Sequence, residues 1–173
     1  MATKYDGMRP AQIRPEARKA AQAVLDSRWN KRLPVDPIVL ARDLGAEVYT
    51  AQLGEDVYGM ITGTPAEAAI YLDVDQSPVK MRFTCAHELG HYVERSDREV
   101  ASEKEFADID KRSDRDHGKP IEVFANEFAG ALLMPESEIR RLHAQGVGNV
   151  ELGKIFNVSM DAVKMRKFHL GLQ

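Results

Sequence analysis

Ser77-Pro78-Val79-Lys80-Met81-Arg82-Phe83-Thr84-Cys85-Ala86-His87-Glu88-Leu89-Gly90-His91-Tyr92-Val93-Glu94 is the stretch from which the rest of the chain can be read. It contains His-Glu-x-x-His in a helical setting: Ser77 can cap, Pro78 suits a first turn, and no further proline follows before Glu94. Residues four apart share a helix face, so His87 and His91 can each offer an imidazole nitrogen to one metal ion. Glu88 sits about a hundred degrees round the helix. It is poorly placed as a third ligand and well placed to take a proton from a water at the metal, the division of labour of a zinc peptidase. Cys85, Ala86, Leu89, Tyr92 and Val93 project to the opposite side, which makes one face core and the other a polar site. Gly90 lies close to the histidine face. A missing side chain there lets a second backbone approach, at a helix-propensity cost of roughly 1 kcal/mol.

The composition sets the frame around this helix. A chain of 173 residues is long enough for one domain with a sizeable core. We expect a catalytic unit over residues 1–140, N-terminal helix included, and a small helical subdomain over residues 141–173. With 24 basic and 27 acidic residues the net charge is −3, so no global field draws the protein to nucleic acid or to an anionic membrane. The single cysteine excludes an internal disulfide framework, the first thirty residues lack a signal-peptide apolar region, and no apolar run is long enough to span a bilayer. The expected location is cytoplasmic, with no membrane partner. Cys85 reads as a packed thiol on the helix side away from the histidines.

Upstream, residues 1–8 have no period and are expected to fray. From Pro15, Ala17, Ala20, Ala21, Val24, Leu25 and Trp29 recur at helical spacing. Asp36 can cap a short helix with Pro37 in its first turn, Leu40, Ala41 and Leu44 inward, and Gly45 at its end. Residues 47–51, 58–62 and 68–73 read as three strands of a small antiparallel sheet, with an edge around residues 69–72 open to an extended peptide.

Residues 94–120 are dense in charge and read as solvated loop, with His117 an exposed loop histidine. Their aspartates do not have EF-hand spacing. Pro120 then opens a second helix, closed by Pro135, with two candidate third ligands, Glu122 and Glu127, about 140° apart on the helix, so that both cannot face one metal. Glu122 is preferred: it shares a face with Asn126 and the small Ala125 and Ala129, which would let the two helices approach closely. Asn126 could then hydrogen-bond to the site. Glu127 stays the alternative, because Asn126-Glu127 is similar to the Asn-Glu pair that supplies the third ligand in thermolysin-like enzymes.

Arg82-Phe83-Thr84-Cys85-Ala86-His87-Glu88-Leu89-Gly90-His91, followed by Glu122-x-x-Ala125-Asn126-x-Phe128-Ala129-x-x-Leu132-Leu133-Met134-Pro135, resembles the two signature blocks of the ImmA/IrrE family of metallopeptidases. The resemblance extends more loosely from about Pro34 to the closing Leu170-Gly171-Leu172. It implies an α+β, zincin-like core, Zn2+ on His87, His91 and Glu122, and Glu88 as catalytic base. It also implies a substrate class, helix-turn-helix repressors of the Xre type, whose cleavage relieves repression. Cys85 departs from the aliphatic residue usual at its position.

The tail carries a rival reading. Residues 152–156, a turn at Asn157-Val158-Ser159, and residues 160–168 have helix-turn-helix spacing, with Ser159 as a cap and Lys164, Arg166 and Lys167 as phosphate contacts. Short hairpins of this kind also simply close a core, with Ile155, Val158, Val163 and Phe168 buried. The net charge favours the second view, so nucleic acid is not the expected partner. No oxyanion-stabilising residue can be named, since Tyr92 projects away from the metal and His117 or His143 would have to arrive from a loop or the tail.

Overall fold

The computed structural model describes residues 4–64, 67–96, 106–111 and 119–172. Helix α1, Pro10–Arg28, starts earlier than its periodicity suggested and buries Ile13, Ala17, Ala21, Val24 and Leu25. Tyr5, just before it, is not frayed. It is 1% exposed and stacks on Phe124, ring centroids 5.2 Å apart, so an aromatic anchor holds a segment that has no period of its own. Helix α2, Pro37–Asp43, is capped as expected: the Asp36 carboxylate accepts from the backbone N–H groups of Ile38 and Val39 at 3.0 and 3.3 Å. Gly45, with φ +92°, supplies the left-handed turn into the sheet.

The three expected strands are present as β1, Ala46–Ala51, β2, Val57–Gly63, and β3, Ala68–Asp73. A fourth, β4, Phe106–Lys111, falls where solvated loop was expected. The sheet is mixed rather than antiparallel, in the order β1-β3-β2-β4: β3 runs parallel to β1, while β2 is antiparallel to both β3 and β4. After β2 the chain turns back and β3 inserts between β1 and β2. Residues 69–72 are therefore interior and offer no edge to a peptide. β4 is held from above, where Arg95 pairs with Asp108 and stacks its guanidinium over the Phe106 ring at 4.5 Å. Its inward-facing carboxylates hide it from a search for apolar alternation.

Helix α3, Pro78–Ser96, lies on this sheet, and Gly59 of β2 lets it sit close. A Cβ at Gly59 would fall 2.5 Å from Thr84 Cγ2. Cys85, Ala86, Leu89 and Tyr92 of α3 are buried, as its projection required. Helix α4, Pro120–Leu133, crosses at Gly90, where an added Cβ would stand 3.2 Å from the Ala125 Cα and 3.1 Å from the Phe128 ring. The expected backbone approach is thus present, made by the small Ala125. Helices α5, Glu136–Ala144, α6, Asn149–Phe156, and α7, Met160–His169, complete the described chain. Ser159 caps α7 by accepting from Ala162 N–H at 3.1 Å. Val158 and Val163 are buried, but Phe168 is 78% exposed and Arg166 only 4%, an inversion of what α7 was expected to present. The α+β fold stands. Among the described residues no helix is long and apolar enough to cross a membrane.

Candidate metal centre

The crossing of α3 and α4 brings His87, His91 and Glu122 together. Their ligand atoms form a small triangle: His91 Nε2 to His87 Nε2 3.1 Å, His87 Nε2 to a Glu122 oxygen 3.2 Å, and His91 Nε2 to the other Glu122 oxygen 3.4 Å. A tetrahedral ion with bonds of about 2.0–2.1 Å needs its ligand atoms about 3.3 Å apart, so this triangle has the size of one tetrahedral face. Both imidazoles are buried, and Glu122 is partly open to solvent.

Asn126 Oδ1 accepts from His87 Nδ1 at 3.1 Å, which leaves Nε2 as the nitrogen that faces Glu122 and His91. Glu88 is fully buried beside the triangle, and among the described residues neither of its oxygens has a hydrogen-bond partner. Burial lifts its carboxyl to about 8, against the pull of His87 and with help from Asp110 and Asp108. A desolvated, unengaged carboxylate is what a proton acceptor for an incoming water requires.

The two histidines are driven apart in charge. Burial opposes protonation of His87, but the hydrogen bond to Glu122 and the charges of Glu88, Glu122 and Asp110 outweigh it and raise it to about 9. His91, equally buried and facing His87, is lowered to about 4. Without an ion the pair thus carries one proton across the neutral range. Burial also pushes on Glu122, yet its hydrogen bond to His87 and the two imidazoles hold it below its usual value.

Asp110 of β4 was missed by the sequence reading. One of its oxygens lies within 4.8 Å of ligand atoms of His87 and Glu88, a second grouping that shares His87 with the first. The only signal was the alternation of Phe106, Asp108 and Asp110. Glu127, the alternative ligand, is elsewhere: buried on the far side of α4, it meets Arg18 and His169 at 2.7 Å, Arg166 at 3.4 Å and Arg14 at 3.7 Å. Tyr92 faces away as expected, its hydroxyl donating to Leu44 O at 3.2 Å. His143 sits in the last turn of α5, and His117 lies outside the described residues.

Known proteins share this arrangement of sequence and fold. The model of the IrrE N-terminal-like domain, a peptidase family, matches residues 41–167, and the chain belongs to that family. It is 29% identical over 140 residues to the radiation response metalloprotease IrrE of Deinococcus radiodurans, a match covering 68% of this chain and 42% of that protein. The chain thus aligns with less than half of that relative's length. A Mycobacterium tuberculosis transcriptional regulator shares the fold, with a TM-score of 0.57 and 19% identity over 89% of this chain and 49% of that one. Family membership makes the fold zincin-like and points to a metal-dependent peptidase.

Proposed function

We propose that this protein is a zinc-dependent endopeptidase that cleaves a protein substrate, an Xre-type helix-turn-helix repressor, and so relieves repression in the cytoplasm. The observation that carries this reading is the unengaged Glu88 carboxylate, buried beside a His87, His91 and Glu122 triangle of tetrahedral size. The donor set of two imidazoles and one carboxylate fits zinc, with a fourth position left for water or substrate. Zinc bound there supplies Lewis acidity to the scissile carbonyl and makes a water more acidic.

The chain's own residues do the rest. Asn126 fixes the His87 ring, and Gly90 and Ala125 set the spacing of the two helices that carry the ligands. Glu88 accepts the proton of the attacking water and returns it to the leaving amine, its burial having raised its basicity toward the working range. Because β3 is interior, the extended substrate is placed along β4, the outer strand that brings Asp110 to Glu88.

The reading as a DNA-binding regulator is weaker than the tail's sequence suggests. Arg166 is buried against Glu127, and Lys167 donates to Asn149 Oδ1 at 3.1 Å. The test is to incubate the zinc-loaded protein with repressors encoded beside its gene. Cuts at one or a few bonds that chelation stops support the proposal, and salt-sensitive, sequence-specific DNA binding without cleavage overturns it.

A further inference from the structure

A cavity of about 540 Å3 lies between the first half of α3 and the lengths of α4 and α7, with Arg14 of α1 at one end, in the size range of built ligand sites. It is distinct from the metal triangle but next to it, since Asn126 lines it and also holds His87. Two features mark it as kept open. Gly130 stands in the last turn of α4, where glycine is still a poor helix former, and a Cβ there would meet nothing within 4 Å, so no packing neighbour requires the glycine. Along one edge runs Met165, 56% exposed, and one turn further on the same helix Phe168, 78% exposed. Apolar surface therefore continues out of the cavity onto the outside of α7, farther than a small molecule enclosed in the cavity would need.

The inner end is charged, and unevenly. Arg14, Arg18 and Arg166 converge on the single carboxylate of Glu127, and Arg14, Arg166, Glu127 and His169 all line the cavity. Arg18 and His169 make the close contacts at 2.7 Å, while Arg166, which also donates to Met134 O at 3.3 Å, and Arg14 lie farther off at 3.4 and 3.7 Å. Burial holds Arg166 down at about 10, the mark of a cation short of solvation. Asp161 at the rim faces Lys164 at 3.5 Å, so it does not offset the excess. The wall is apolar, then, and the end is cationic.

We propose that this cavity binds a segment of the polypeptide substrate in which apolar residues are followed by an acidic one, the apolar part lying against Phe83, Val123, Met165 and Phe168 and the carboxylate entering between Arg14 and Arg166. The spacing suits a chain cut at the metal. Phe83 and Lys80 stand about 6 and 10 Å from His87 along the helix at 1.5 Å per residue. An extended chain covers that distance in about two or three residues. The wall at Phe83 and Lys80 is thus within reach of the residues next to the cut bond. The proposal deepens the peptidase reading and rests on it for the cut, though not for the binding.

The test uses the full chain, zinc-loaded and carrying Glu88→Gln to suppress cleavage, and short fluorescein-labelled peptides with two leucines followed by glutamate, or by lysine at the same place. Fluorescence polarisation should give at least about tenfold tighter binding for the glutamate peptide, since charge reversal at a cationic end is strongly unfavourable. Adding Gly130→Leu, which fills the cavity, or Phe168→Ser, which is exposed and should not disturb folding, should each weaken binding about tenfold. Equal binding of the two peptides, or binding indifferent to both variants, overturns the inference. So does binding of octanoate with neither peptide bound, which would give the cavity to a free small acid. Selective peptide binding with no cleavage by the wild-type protein would instead sink the peptidase reading and leave this one standing. Cleavage unaltered by Gly130→Leu and Phe168→Ser would do the reverse.

Discussion

Asn126 Oδ1 lies 3.1 Å from His87 Nδ1, and through that one hydrogen bond α4 dictates which nitrogen of the α3 histidine can face a metal. Removing it should loosen the ring and allow the other tautomer. We expect Asn126→Ala to keep the fold and lower zinc affinity about ten- to a hundredfold, the usual range for such supporting contacts. Competition against a chromogenic chelator measures this, and unchanged affinity would mean that packing alone orients His87.

Glu122 and Glu127 should fail in opposite ways. Glu122→Ala removes a triangle vertex and should strip the metal with little loss of stability, since this side chain is partly exposed. Glu127→Ala should keep the metal while leaving three guanidiniums without their carboxylate, at a cost of about 3–5 kcal/mol. Metal analysis beside denaturant unfolding separates the two. Metal lost from Glu127→Ala and retained by Glu122→Ala would reverse the ligand assignment.

Acidity should act with opposite sign on the two forms of the protein. In the metal-free form Glu88 is raised to about 8 and His87 to about 9, both above their ordinary values. A group raised on folding contributes stability below its unfolded pKa that is lost as pH rises toward the folded one. His91, lowered to about 4, acts with the opposite sign between about pH 4 and 6.5 and offsets Glu88 there, so the metal-free protein should lose thermal stability between about pH 6.5 and 9. Metal binding, by contrast, must displace the His87 proton, so its affinity should rise about tenfold per pH unit up to about 9, with one proton released per ion. Thermal melts with and without chelator, and calorimetry in buffers of different ionisation heat, test both signs.

Cys85 should be inert. Its thiol is fully buried, and burial, with Asp36 and Glu88 nearby, pushes it up to about 12. Iodoacetamide at pH 8 should label it only after unfolding, and rapid labelling of the native protein would contradict its place in the core.

The parts legible in the sequence are those where one periodicity governs. Helix α3 is readable because its two faces differ in kind, and α4 because Glu122, Ala125, Asn126 and Ala129 fall on one stripe against Gly90. Strand β4 is not, because its inner positions are Asp108 and Asp110, satisfied by Arg95 and by nearness to the site rather than by apolar contact. Helix α7 misleads for a related reason: it buries Arg166 against a carboxylate 39 positions away and leaves Phe168 outside. Strand order is a third case, since each strand can be read alone while the insertion of β3 between β1 and β2 depends on pairing across the sheet.

The most direct test of the account is zinc content and repressor cleavage measured together on the wild type and on Glu88→Gln. The amide keeps the shape of the buried side chain but cannot accept a proton. Both proteins should hold one zinc per chain, with cleavage that chelation abolishes in the wild type and none in the variant. Cleavage retained by Glu88→Gln would contradict the role given to Glu88, and loss of zinc from that variant would make Glu88 a ligand.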